Sequence, residues 1–216
     1  MKKFLLAVLA LGAMTMVACN PDNNEPAPEP APAADYAINT TACGEIMATL
    51  DCYGDVYEVG NNVYMLQMMG VDDWENTTKL QILALQYNTP IDEFNGCGVL
   101  VADVIGAEGY YSFAANTFTP GYVDPEDPEY MYGSGYFELD YETGDYTVFE
   151  CVTGGTMTVT YNEETQENTF SGTLVLASGK TLAVEYTGLV GGGIAPMKAA
   201  LKAEKFARSF SSLLKK

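Results

Sequence analysis

Residues 156–186 read TMTVTYNEETQENTFSGTLVLASGKTLAVEY, and their period decides the fold class. Met157, Val159 and Tyr161 alternate with Thr156, Thr158 and Thr160. Phe170, Leu174 and Leu176 alternate with Thr169, Ser171 and Thr173, and Leu182, Val184 and Tyr186 with Thr181 and Glu185. Successive side chains of a strand point to opposite faces, so a period of two marks strands with one face in a core and one in water. The polar stretch 162–168 and Ser178-Gly179-Lys180 separate these runs, the latter placing glycine where a hairpin needs a left-handed residue. Further back, Gly154-Gly155 and Thr143-Gly144 read as two more turns, so 134–188 reads as a meander of antiparallel strands.

The first half reads similarly but less cleanly. Ile46, Ala48, Leu50 and Cys52 alternate with Met47, Thr49 and Asp51, and the runs 63–69, 80–87 and 110–113 are further candidate strands. Residues 79–87 (KLQILALQY) also fit a helical period, but Pro90 and the strand-like neighbours favour a strand. The expected fold is all-β, an antiparallel β-sandwich or barrel over residues 35–190.

Outside that region the chain changes character. Lys2 and Lys3 precede an uncharged apolar run, 4–18, and then Cys19. Those 15 residues of helix would rise about 22 Å, short of the roughly 30 Å of hydrocarbon, so the run reads as a signal peptide rather than a permanent span. Met16-Val17-Ala18-Cys19 resembles the lipobox of bacterial lipoproteins, with Met16 where leucine is usual. That resemblance implies cleavage before Cys19 and lipid on its thiol, and Asn20 after it points to the outer membrane of the cell envelope. Several acyl chains hold nearly irreversibly at about 0.8 kcal/mol per buried methylene. Residues 19–34, rich in Pro and Ala, read as a disordered, extended tether.

Residues 35–190 carry 25 acidic side chains against Lys79 and Lys180, a net charge of −23, which excludes nucleic acid as a partner. The tail reverses the sign. After the hinge Gly191-Gly192-Gly193, residues 197–216 set Ala203, Phe206, Ala207, Phe210, Leu213 and Leu214 on one helical stripe, with Lys198, Lys202, Lys205 and Arg208 mostly elsewhere. Such an amphipathic helix can lie on an anionic membrane, dock on its own acidic domain, or fray.

The chain has no histidine, and 35–190 has no arginine. Histidine-based nucleophilic and acid–base catalysis, His-ligated metals and guanidinium clamps for anionic substrates are thereby excluded. Glu138 and Asp140, two apart on one expected strand, are a carboxylate pair of the kind glycoside hydrolysis uses, but in so acidic a domain such pairs arise by chance. The expectation is no enzyme and no cofactor. Asp124, Glu126, Asp127 and Glu129 crowd one loop as candidate calcium ligands, without the spacing of an EF-hand. Cys43, Cys52, Cys97 and Cys151 allow three pairings into disulfides, or buried thiols. Among 15 tyrosines and a single tryptophan, Trp74, Tyr130, Tyr132, Tyr136 and Tyr141 are the candidate ligand-binding patch.

The run from YYSF at 110–113 through SGYFEL, GGTMTVTY and SGTLVLASGKTLAVEYTG resembles the small all-β, lipocalin-like domains of Bacteroidetes surface lipoproteins. It implies a β-domain displayed on a membrane and carries no catalytic residue across. The expected function is a non-enzymatic, lipid-anchored binding module for a glycan or protein. A lipocalin-like carrier of an apolar molecule and a fimbrillin-like structural subunit are the alternatives.

Overall fold

The computed structural model describes residues 33–192, except Trp74, Asn76, Ala107 and the side chains of Phe94 and Glu129. The signal peptide, Cys19, the tether up to Pro32 and the basic tail from Gly193 lie outside the described residues. The strands are β1 (Tyr36–Ile38), β2 (Glu45–Gly54), β3 (Asn61–Val71), β4 (Lys79–Pro90), β5 (Gly98–Ala102) and β6 (Thr117–Phe118), then β7 (Tyr122–Asp124), β8 (Asp127–Tyr132), β9 (Gly135–Asp140), β10 (Tyr146–Asn162), β11 (Glu167–Leu176) and β12 (Thr181–Gly188). One short helix, α1 (Thr40–Cys43), follows β1 and is capped by the Asn39 side chain, which accepts from the amides of Thr41 and Ala42. The all-β expectation holds, 79–87 is strand, and β9 to β12 form the expected antiparallel meander.

Strands β4, β9, β10, β5 and β6 hydrogen-bond in an unbroken ring, a closed five-stranded barrel. Strands β3 and β2 extend the sheet from β4, and β11, β12 and β1 extend it from β10. What makes the ring possible is the length and bend of β10, 17 residues long. Its first part pairs with β9 and its second with β5. Gly154-Gly155, expected as a turn, is instead an irregularity inside this strand: the register shifts between Val152 and Gly154, and Gly155 takes φ +100. A β-carbon at Gly155 would sit 2.3 Å from the Thr173 carbonyl oxygen, so glycine permits a bulge that bends the strand without ending it.

The flanking strands join the ring around one filled core, a wider barrel in which Gly191 bridges back to Thr49 of β2. Leu66, Met68, Leu83, Leu85, Leu100, Phe118, Tyr136, Phe170, Leu174 and Leu182 are among its fully buried members. Strands β3, β4 and β9 also bury their outer face: Val63, Met65, Ala84 and Phe137 pack there with Met131 and Val123 of the β7–β8 hairpin. Being buried on both faces, these strands are nearly continuous apolar runs, and this is why the first half alternates less cleanly.

Residues 110–113, expected as a strand, belong to a loop tied to Asp103. That carboxylate accepts hydrogen bonds from the Val104 amide (2.7 Å), the Phe113 amide (2.7 Å) and the Ser112 hydroxyl. A side chain that offers the backbone such acceptors competes with a strand ladder, and only a single bridge, Ile105 to Tyr111, remains. The hinge reading of Gly191 also changes. Its carbonyl accepts from the Leu50 amide (2.8 Å) and its amide donates to the Ala48 carbonyl (3.0 Å), so residues after β12 are strapped across β2 as part of the barrel.

Candidate functional site

One end of the barrel stays open where the inward stripes run out. On β11 the inward positions are Leu176, Leu174, Gly172 and Phe170, and the next is Asn168. On β10 the same stripe ends at Tyr161, the register partner of Asn168, and on β2 it ends at Leu50 and Cys52. Cys52 lies in register with Tyr64, and Tyr64 with Tyr87, so one rung crosses three strands. The rings of Tyr64 and Tyr87 stack at 5.3 Å with 14° between their planes. A 3-10 turn, Phe94–Gly96, presses on them. Gly96 has φ +65, and a β-carbon there would stand 2.8 Å from the Tyr87 hydroxyl, so the turn needs glycine to come this close.

These parts enclose a cavity of about 380 Å³, walled by Leu50, Cys52 and Tyr64 on one side and Tyr161, Gln166 and Asn168 on the other. Asn95 and the strap from Leu189 to Gly192 complete it. Among the described residues no acidic or basic side chain lines it, although residues 35–190 carry a net −23. Asn168 is only 4% exposed, and its amide nitrogen has no hydrogen-bond partner. The Tyr87 hydroxyl beneath Gly96 is likewise buried and unpartnered. Burial, with the Cys52 thiol as the next contributor, pushes the Tyr64 hydroxyl up to about 12, and burial raises Tyr87 well above its ordinary value. Both phenols are therefore neutral at physiological pH. The cavity offers amide and hydroxyl edges beside apolar and aromatic faces.

The residues chosen from sequence fall elsewhere. Tyr136 is fully buried and not part of any surface patch: its hydroxyl donates to Glu138 Oε1 (2.6 Å), and the Gln81 side-chain amide donates to the Tyr136 hydroxyl (2.7 Å). Burial, then its bond to Glu138, raises its pKa far above the usual range for tyrosine. Period two hid this, because β9 buries both of its faces. Tyr132 is exposed on the β7–β8 hairpin opposite Tyr122, a residue the sequence reading missed. Tyr130 is half-buried on β8, Tyr141 is exposed in the turn after β9, and Trp74 is outside the described residues. The structure thus disperses the proposed patch.

Glu138 does not face water. It is 6% exposed and accepts from Lys79 Nζ (2.7 Å), the Tyr136 hydroxyl and Gln81. Asp140 caps the following turn by accepting from the amides of Glu142 and Thr143, which lowers its pKa. The two carboxylates thus point to different partners, Glu138 into the core and Asp140 into its own turn.

The acidic loop is the tip of the β7–β8 hairpin, with Asp124 in register with Asp127 and accepting from the Glu126 amide. Among the described residues no three Cys, Asp or Glu side chains converge to hold a cation; the Glu129 side chain, the fourth of the candidate calcium ligands with Asp124, Glu126 and Asp127, lies outside them.

No disulfide joins the four cysteines. Cys43 donates to Gln81 Oε1 inside the barrel, and Cys151 packs in the outer cluster, so the wall of the sheet separates them. Cys52 faces the open cavity, and Cys97 follows the Phe94–Gly96 turn. Burial raises the thiols of Cys43, Cys97 and Cys151 and keeps them protonated.

The sequence did hold a signal for the cavity. Carrying the period of two back from Phe170 lands on Asn168, an amide at a core position. Comparison with protein-family profiles, with curated proteins and with solved structures gives no match. Among the described residues no helix is long and apolar enough to cross a membrane.

Proposed function

We propose that this chain is a non-enzymatic binding module, carried on the cell envelope by lipid on Cys19, which engages a glycan or protein ligand at the open end of its barrel. The observation that carries this reading is the uncharged, amide-lined cavity over a filled core. A concave site of about 380 Å³, in which amide, hydroxyl and thiol groups converge beside a smaller apolar share from Leu50, Leu189 and Val190, has the size and polar character of a small-ligand site. The missing histidine, the pairing of Glu138 with Lys79 and the neutral phenols supply no acid–base or nucleophilic machinery. The filled interior argues against a carrier that encloses an apolar guest.

The test is a thermal-shift screen of the mature, unlipidated chain against glycan, peptide and fatty-acid panels. It is repeated with Tyr161→Ala at the cavity and Tyr132→Ala on the hairpin. A stabilising glycan or peptide lost in Tyr161→Ala and kept in Tyr132→Ala supports the module, and a fatty acid alone refutes it. Absence of any ligand from all panels, or loss only in Tyr132→Ala, refutes this site.

A further inference from the structure

We infer that the cavity at the barrel's open end takes the edge of an uncharged sugar ring, an inference that rests on the binding-module reading and narrows it to one ligand class. The first argument is charge. In a domain of net −23, anionic ligands such as uronates or sulfated glycans meet repulsion at long range and no cation among the described lining residues. Cationic ligands would be drawn to the surface but find no carboxylate among those same lining residues to pair with. A neutral ligand is the class that loses nothing on entry.

The second argument is hydrogen-bonding capacity. Asn95, Gln166 and Asn168 each offer a donor and an acceptor on one amide edge, and the buried amide nitrogen of Asn168 has no partner. Vicinal hydroxyls, each both donor and acceptor, match such edges. A hydrocarbon chain seated here would leave Asn168 unpaired in a still drier place, at a cost that rules it out as the favoured guest. The third argument is the rest of the wall. Leu50, Tyr64 and Val190 present apolar and aromatic surface suited to the C–H face of a ring while its hydroxyls meet the amides.

Isothermal titration and array binding of the full mature chain test this with neutral gluco-, manno-, galacto- and xylo-oligosaccharides, uronate and sulfated glycans, and peptide and fatty-acid panels in parallel. A neutral oligosaccharide is expected to bind, and Asn168→Leu to weaken it at least about tenfold. Tyr132→Ala leaves it unchanged. Because Asn168→Leu could act by disturbing the barrel, Gln166→Ala on the exposed rim serves as a second variant, expected to weaken binding with the melting temperature unmoved. Binding of only anionic glycans, or of a neutral glycan indifferent to both variants, overturns the sugar assignment. Peptide alone, lost in Tyr161→Ala, also overturns it while the module stands, and fatty acid alone overturns both. No ligand in any panel overturns both.

Discussion

Replacing Asn168 by leucine should make the unliganded protein more stable while removing its ligand. Asn168 closes the inward stripe of β11 next to Phe170, is 4% exposed, and holds an amide nitrogen with no partner. A buried donor left unpaired costs about 1–3 kcal/mol relative to its hydrated state. Leucine has the same branched four-atom side chain, with the cavity beside it to take its greater bulk; it removes that cost and continues the apolar stripe, so the expected gain is about 2 kcal/mol. For a chain of this size each kcal/mol moves the melting temperature by roughly 2–4 °C, so Tm should rise by about 4–8 °C. Asn168→Ala separates the two contributions. It also removes the donor but leaves a void beside Phe170, and its Tm should fall below that of the leucine variant. Differential scanning calorimetry at one pH, without ligand, reads the effect. A Tm for Asn168→Leu equal to or below wild type would show that the amide is satisfied and the reasoning wrong.

Alkaline pH should destabilise the fold well before backbone chemistry intervenes. The Tyr64 pKa is raised from an ordinary value near 10 to about 12, so the folded state holds its proton more tightly than the unfolded chain. That contribution is complete below pH 10 and lost as pH rises through 12. Tyr64 and Tyr87 act in the same direction. Urea midpoints between pH 8 and pH 11.5 check it, and a flat profile would contradict it.

Gly192 has φ +125, and a β-carbon there would stand 2.2 Å from the Leu50 carbonyl oxygen. Gly192→Ala should detach the strap, cost about 1–3 kcal/mol and speed hydrogen exchange at the Leu50 amide. Lys79→Met leaves the buried Glu138 without its cation. With the lysine side chain 47% exposed the loss should be about 1–2 kcal/mol, and Lys79→Arg should recover part of it in a urea titration. Cys19→Ser should abolish incorporation of labelled palmitate and release the chain from membranes, while retained label would refute the lipid anchor.

Residues 156–186 determine by themselves that this part of the chain is an antiparallel meander, because β11, β12 and the last part of β10, from Thr156, keep one face in water and their alternation survives folding intact. Composition likewise fixed the acidic surface and the missing histidine chemistry. Three things were decided only by tertiary structure. Strands β3, β4 and β9 bury both faces, which sent Tyr136 and Glu138 inward when local pattern placed them outside. Gly154-Gly155 became a bulge rather than a turn, since only pairing with both β9 and β5 reveals that β10 continues. The cavity brings Leu50 and Cys52 to Tyr161 and Asn168 across more than 100 positions of sequence. No local period encodes such a meeting. Closing a sheet fixes which strand ends share an opening, and there an inward-facing amide such as Asn168 has a place to act.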